Sequence, residues 1–207
     1  MDWLKFKHTC KKIWYFIWED DSWASWFVNV VLAFVLIKFI VYPGLGLLLS
    51  TTHPIVAVVS GSMEHDGSFD DWWSSSAYCG QYSCSQGQLY AQLNITKDEF
   101  KDFSLHNGFN KGDIMVLYRS KPANVKIGDV IVYMANRPDP IIHRVIMKKE
   151  SSSGFVFMTK GDHNQGSFDF ESYIPEDTYI GKAVVRVPLL GYIKIGFVRL
   201  LQLIGLV

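Results

Sequence analysis

One stretch of the chain holds a side chain suited to act as a nucleophile. Val58-Val59-Ser60-Gly61-Ser62-Met63 sets Ser62 between a glycine and a methionine, directly after a β-branched run. A serine hydroxyl attacks well only when a neighbouring base takes its proton, and histidine suits that task near neutral pH. Six histidines are present. His8 precedes the first apolar segment, His53 adjoins Pro54, His65 and His106 bound a long polar excursion, and His163 lies in a polar turn. His143 differs, because it falls inside the strand-like run Pro140-Ile141-Ile142-His143-Arg144-Val145-Ile146-Met147 and shares a face with Ile141 and Val145. A third group must hold the imidazole in its useful tautomer and stabilise its cation. Thr159-Lys160-Gly161-Asp162-His163-Asn164 supplies Asp162, and Asp169 follows; either carboxylate suits. Taken singly, each piece has an ordinary structural explanation: a Ser-Gly turn, a core histidine, an Asx turn.

The elements that must position these residues follow from apolar patterning. Trp23 to Leu49 is apolar for longer than the roughly 20 residues that cross a bilayer core. It is too long and too far from the N-terminus for a simple cleaved leader. Pro43-Gly44 reads as a helix stop, which puts Lys38 in the last turns of the span with its amine reaching outward. Lys5, Lys7, Lys11 and Lys12 precede the span, and after Lys38 no Lys or Arg occurs until Lys97. The positive-inside tendency then puts the N-terminus in the cytosol and the rest outside. Residues 1–22 read as an amphipathic lead-in, either solvated or lying on a membrane surface.

Beyond the span, Pro54–Val59 reads as a short buried strand. Residues 64–110 form a long insertion in which Ser68 starts one helix and Thr96-Lys97-Asp98-Glu99 caps another. Cys79 and Cys84 lie between them and form a disulfide if that side is oxidising. Asn94-Ile95-Thr96 is a glycosylation sequon. Further strands are expected at 112–118, 125–134, 140–147, 155–159 and 179–187, separated by Gly, Pro, Asn and Asp. With little helix between them, they argue for an antiparallel β domain over residues 50–187. Residues 188–207 are apolar again, broken by Lys194 and Arg199, and read as an interfacial or inserted helix.

Bulk properties narrow the function classes. The 207 residues carry equal numbers of acidic and basic side chains, so nucleic acid is not an expected partner. Three cysteines are too few for a disulfide scaffold, and no spacing matches a metal site, so no cofactor or metal is expected. Seven tryptophans, many near the apolar ends, fit interfacial anchoring.

The order of motifs resembles that of type I signal peptidases. An apolar span is followed by Ser60-Gly61-Ser62-Met63-Glu64, Gly112-Asp113, His143-Arg144-Val145, Lys160-Gly161-Asp162-His163-Asn164 and Asp169. His143 stands where bacterial members carry lysine, so the resemblance is to the Ser-His branch of archaea and of the endoplasmic-reticulum catalytic subunit. The long insertion is more like archaeal members. The resemblance implies a membrane-bound serine endopeptidase that removes N-terminal signal peptides after small residues. Ser62 would be the nucleophile, His143 the base, Asp169 its orienting acid, Asp162 a shaper of the site and Ser60 an oxyanion donor. It implies a mainly β catalytic domain with an N-terminal transmembrane helix (23–49) and a C-terminal apolar helix. Preproteins, the lipid bilayer and the protein translocation channel would be its partners, at the cell membrane. Two departures stand out: His65 follows Glu64 where proline is usual, and Asp162 and Asp169 lie one residue further apart than expected. The competing readings are an inactive anchored β module that binds extended peptides, and a self-cleaving repressor type, which needs a lysine base and a DNA-binding segment.

Overall fold

The computed structural model describes residues 3–203 apart from 136 and 138, together with residue 205; residues 1 and 2 of the lead-in and 204, 206 and 207 of the C-terminal segment lie outside the described residues. The chain forms two compact units, Met1–Leu48 and Leu49–Val207.

The first unit is helical. Helix α1 covers Trp3–Trp18. Helix α2 runs from Trp23 to Leu48 and is long and apolar enough to cross a membrane. Ser22 caps it by accepting the Ser25 N–H. The expected stop at Pro43 does not occur. Pro43 has no N–H and its ring would strike the carbonyl four residues back. The helix answers with a π turn over Ile37–Val41, where the Tyr42 N–H bonds the Ile37 carbonyl, and then continues. Lys38 therefore lies well before the helix end, with its amine 5.8 Å and 5.5 Å from the rings of Phe34 and Phe39.

The second unit is built on a seven-stranded antiparallel sheet. Its strands are β1 (Ile55–Ala57), β4 (Ile114–Tyr118), β5 (Val130–Tyr133), β6 (Ile141–Ser151), β7 (Gly154–Lys160), β8 (Ile174–Pro175) and β9 (Tyr179–Val187). Their order is β1-β4-β9-β5-β6-β7-β8. The pairing slips in register at Val116/Leu117, Val132/Tyr133 and Val145/Met147, and such bulges bend a sheet. Alternation sends Val130 and Val132 to one core, with Val58, Met63 and Phe109, and Ile131 and Tyr133 to another, with Val145 and Phe157. The sheet is thus covered on both faces. The first strand is not buried as expected: β1 is an edge strand, half-exposed, paired among the described residues with β4 alone.

The insertion supplies Trp72, Tyr90, Ile95 and Phe100 to a third, largely aromatic core that packs on Ile146 of β6. Helix α3 (Phe69–Ser74) starts at a capping box of Ser68 and Asp71. The hairpin β2 (Ser76–Cys79) and β3 (Tyr82–Ser85) is closed by a Cys79–Cys84 disulfide. Helices α4 (Gln86–Gln92) and α5 (Lys97–Lys101) follow, each opened by a capping box, at Ser85 and Thr96. At the other end, helix α6 (Gly191–Leu203) is seated by the Gly191 N–H on the Gly112 carbonyl. Gly112 has a positive φ, and a side chain there would collide with the Tyr192 ring.

Candidate active site

Ser62 sits in the turn that leaves β1. This turn is held from two sides: the His163 N–H bonds the Ser62 carbonyl at 2.9 Å, and the Phe109 N–H bonds the Met63 carbonyl at 3.0 Å. Met63 anchors the turn from below in the core beside Val58 and Phe109.

Strand β6 brings His143 to this turn. Alternation points it the same way as Ile141 and Val145, and only 5% of its surface is exposed. Its Nε2 lies 2.8 Å from the Ser62 hydroxyl. Its Nδ1 meets the Glu171 carboxylate in a very short contact. A carboxylate only accepts, so Nδ1 carries the proton and Nε2 presents its lone pair to the Ser62 O–H. Glu171 is fully buried and also accepts from the Thr159 hydroxyl (3.3 Å) and the Phe168 N–H (2.7 Å). Tyr133 in turn meets the Thr159 hydroxyl at 2.9 Å. The result is a serine, an imidazole in the base tautomer and a fixed carboxylate in line.

The acid behind His143 is neither of the two expected aspartates. Asp169 and Glu171 share one 3-10 turn, Asp169–Glu171. That turn leaves Asp169 exposed at its start and swings Glu171 inward. Asp162 is fully buried on the other side of the chain and faces Arg144 instead. Arg144 Nε donates to it at 2.9 Å and Nη2 at 2.6 Å, and His65 Nε2 approaches at 3.1 Å. Burial pushes the Asp162 carboxyl up, but the Arg144 guanidinium and the bond from His65 outweigh it and hold the group well below the carboxylate range. Its role in the structure is to lock the turn that carries Gly161. A side chain at Gly161 would come within 2.9 Å of His143 Nε2 and 2.8 Å of the Ser62 carbonyl, so only glycine lets the turn approach the pair.

The insertion closes around this lock. His65 stacks flat on Trp72 with ring centroids 3.7 Å apart. Trp72 Nε1 donates to the Asp162 carbonyl at 3.0 Å. Arg144 donates to the carbonyls of Ser104 and Leu105 and lies 4.7 Å from the centre of the Phe100 ring. Gln86 bridges Lys160 and the Asn164 carbonyl, at 2.8 Å and 3.0 Å, and the Tyr78 N–H bonds the Gln165 carbonyl. Lys160 is buried, and burial pushes its amine down to about 8 against the pull of Asp162 and Glu171. Sequence reasoning passed over Glu171 and Gln86, and it named His65 and Arg144 without giving either a role. Glu171 had one signal, its place two residues after Asp169 behind the same strand; His65 stood out as the residue in place of the usual proline and Arg144 as the neighbour of His143, while Gln86 carried no signal before the fold brought it to Lys160.

A cleft of about 380 Å³ opens at Ser62 and His143, with Ala57, Val59, Ile142 and Phe168 among its apolar walls. Ser60 lines it too, its hydroxyl 3.2 Å from that of Ser62. Such a site can add a serine hydroxyl to a carbonyl carbon and pass the proton to a leaving group.

No family model matches the chain. Among curated proteins, the signal peptidase complex catalytic subunit SEC11 of Colletotrichum graminicola is 34% identical over 100 residues, 44% of this chain and 58% of that protein. The protein of the same name from Lachancea thermotolerans is 36% identical over 102 residues, 44% of this chain and 60% of its own. That from Scheffersomyces stipitis is 27% identical over 165 residues, 76% of this chain and 73% of its own. The matched stretch thus spans about three-fifths of the length of the first two relatives. The resemblance carried by the ordered motifs holds to this extent: over the matched stretches the chain is similar to proteins named as catalytic subunits of signal peptidase complexes.

Proposed function

We propose that this chain is a membrane-bound serine endopeptidase that cleaves signal peptides from preproteins. The observation that carries the reading is the line from the Ser62 hydroxyl through His143 to the Glu171 carboxylate. Ser62 attacks the scissile carbonyl as His143 Nε2 takes its proton. Glu171 stabilises the imidazolium, which then protonates the leaving amine. The Ser60 hydroxyl, beside Ser62 in the same cleft, donates to the oxyanion, where a preorganised donor counts most. Asp162 shapes the site through its buried bond with Arg144, and Asp169 has no part in the proton relay.

The substrate is an extended segment laid along the open edge of β1, which offers unpaired backbone groups next to the nucleophile. The cleft beside it, walled in part by Ala57, Val59, Ile142 and Phe168, receives the side chains that precede the cut. Helix α2 holds the chain in the bilayer with the N-terminus cytosolic and the β unit extracytoplasmic, since four lysines precede the span. The relatives' shared name makes other subunits of a signal peptidase complex the natural partners, with the bilayer and the translocation channel that delivers preproteins.

The test is cleavage of a preprotein with an Ala-x-Ala site by purified protein in detergent or vesicles. Wild type yields the mature product, and Ser62→Ala and His143→Gln do not. Equal cleavage by either variant overturns the mechanism. Stable binding of intact substrate by the wild type identifies an inactive peptide-binding module instead.

A further inference from the structure

Helix α1 has a continuous apolar face that, among the described residues of the first unit, is largely uncovered. Trp3, Phe6, Cys10, Ile13 and Ile17 follow one another at three- and four-residue steps, and Trp14 lies four residues after Cys10 and three before Ile17, so the six share one side of the helix. Trp3, Phe6, Ile13 and Trp14 are each more than half exposed. Lys5 and Lys12 fall on the opposite side, Lys7 and Lys11 on the flank, and the helix contains no acidic residue. An apolar stripe of indole and phenyl rings bordered by lysines matches a phospholipid surface in both layers: ammonium groups at the phosphates, aromatic rings at the headgroup boundary.

The chain also fixes where α1 must lie. Its last turn is bonded to the first turns of α2. The Ser25 hydroxyl donates to the Phe16 carbonyl, and Asn29 Nδ2 donates to the Ile17 carbonyl at 2.9 Å. Asn29 is six residues into α2, about 9 Å at the helical rise of about 1.5 Å per residue. Trp23 and Trp26 stand exposed at the same end of α2, as side chains at a membrane boundary do. Glu19, Asp20 and Asp21 fall in the link, outside the stripe, before the N-terminus of α2 where negative charge is favoured. If α2 crosses a bilayer, the C-terminal turn of α1 is held near the level where lipid meets water.

We propose that α1 docks its Trp3–Ile17 face into the phospholipid leaflet that α2 enters, with its lysines on the lipid phosphates. The inference depends on α2 spanning a bilayer and is independent of the peptidase reading.

The chain supplies its own probe. Cys10 is an exposed free thiol on the apolar face, while Cys79 and Cys84 are joined. Full-length protein in vesicles is labelled under non-reducing conditions with an environment-sensitive fluorophore at Cys10. A second sample carries it at Lys12→Cys in a Cys10→Ser background. Vesicles of phosphatidylcholine, with or without phosphatidylserine, hold lipids with a nitroxide just below the headgroup. The expected result is a blue-shifted Cys10 probe that is quenched several-fold more by the nitroxide than by aqueous iodide, and the reverse at position 12. Replacing Trp3, Phe6 and Trp14 by Ser returns the Cys10 probe to iodide. Phosphatidylserine deepens the quenching, and replacing the four lysines by Gln removes that difference. Equal iodide access at both positions overturns the proposal, as the helix then lies in water. A Cys10 probe shielded from both quenchers also overturns it and points to a second copy of the chain. Neither readout involves cleavage, so an inactive protein that passes this test refutes only the peptidase reading.

Discussion

Glu171, rather than an aspartate, stands behind His143 because of one short turn. The 3-10 turn of Asp169–Glu171 sets the two acids on opposite sides, and the Phe168 N–H and Thr159 hydroxyl wait on the inner one. Glu171→Gln keeps the shape and removes the charge that stabilises the imidazolium, so preprotein cleavage should fall by about 10⁴-fold, as when a triad acid is neutralised. Asp169→Asn should leave the rate within a few-fold; the opposite ranking in the same assay would restore Asp169 as the acid. Gly161→Ala tests the close approach of the turn. Its added methyl meets Ser62 and His143, so cleavage should be lost while circular dichroism stays that of the folded protein. Lys160 tests the electrostatics. Its folded value, near 8, lies below the ordinary 10.5 of the unfolded chain, so between those values the unfolded state binds more protons. Stability relative to Lys160→Met should therefore rise as pH goes from about 8 to about 10.5 and stay flat below 8. Unfolding midpoints across that range check the sign.

At the scale of elements, the insertion is part of the site's support. Its helix start at Ser68 and its capping box at Thr96 were legible, because a hydroxyl followed closely by acids is a local pattern. So were the principal strands of the sheet, from β-branched runs between turn residues. The hairpin β2–β3 and the two-residue β8 were not: they are held by a disulfide and by pairing with β7, which no local period announces. What the insertion does was also hidden, since it depends on Trp72 reaching Asp162 across 90 residues of chain. Trp72→Ala opens the aromatic core under the Asp162–Arg144 pair. Unfolding in detergent should show a loss of about 3–5 kcal/mol, the cost of deleting a buried aromatic. Cleavage should fall with it even at temperatures where the protein remains folded. Unchanged kinetics in the folded variant would separate the insertion from the site. The π turn was missed for a different reason: proline predicts a helix break, but inside a long apolar helix the unsatisfied carbonyl favours a local rewinding over an end.

For the whole molecule, acid sensitivity should centre on the buried Asp162. Its folded value is depressed, so the stability it contributes is complete above the unfolded value near 3.8 and drains away as pH falls below it. Asp162→Asn should lower stability by about 3–5 kcal/mol at neutral pH by leaving Arg144 buried without its partner, and the gap to wild type should narrow in acid. A gap that does not change with pH in urea titrations would contradict that account. The order of the site's motifs was readable along the chain, yet the acid was not, because three carboxylates crowd the ten residues from Asp162 to Glu171 and only the folded path ranks them. One feature bears on how the protein behaves in a test tube. The two rims of the sheet are unequal: β8 ends it with Pro175, which has no N–H to offer a neighbour, while β1 ends it with a bare ladder. A sheet with a single adhesive rim can join only one neighbour through it. Concentrated, unliganded preparations should therefore stall at pairs joined rim to rim rather than grow into fibrils, and a peptide filling that rim should return them to monomers.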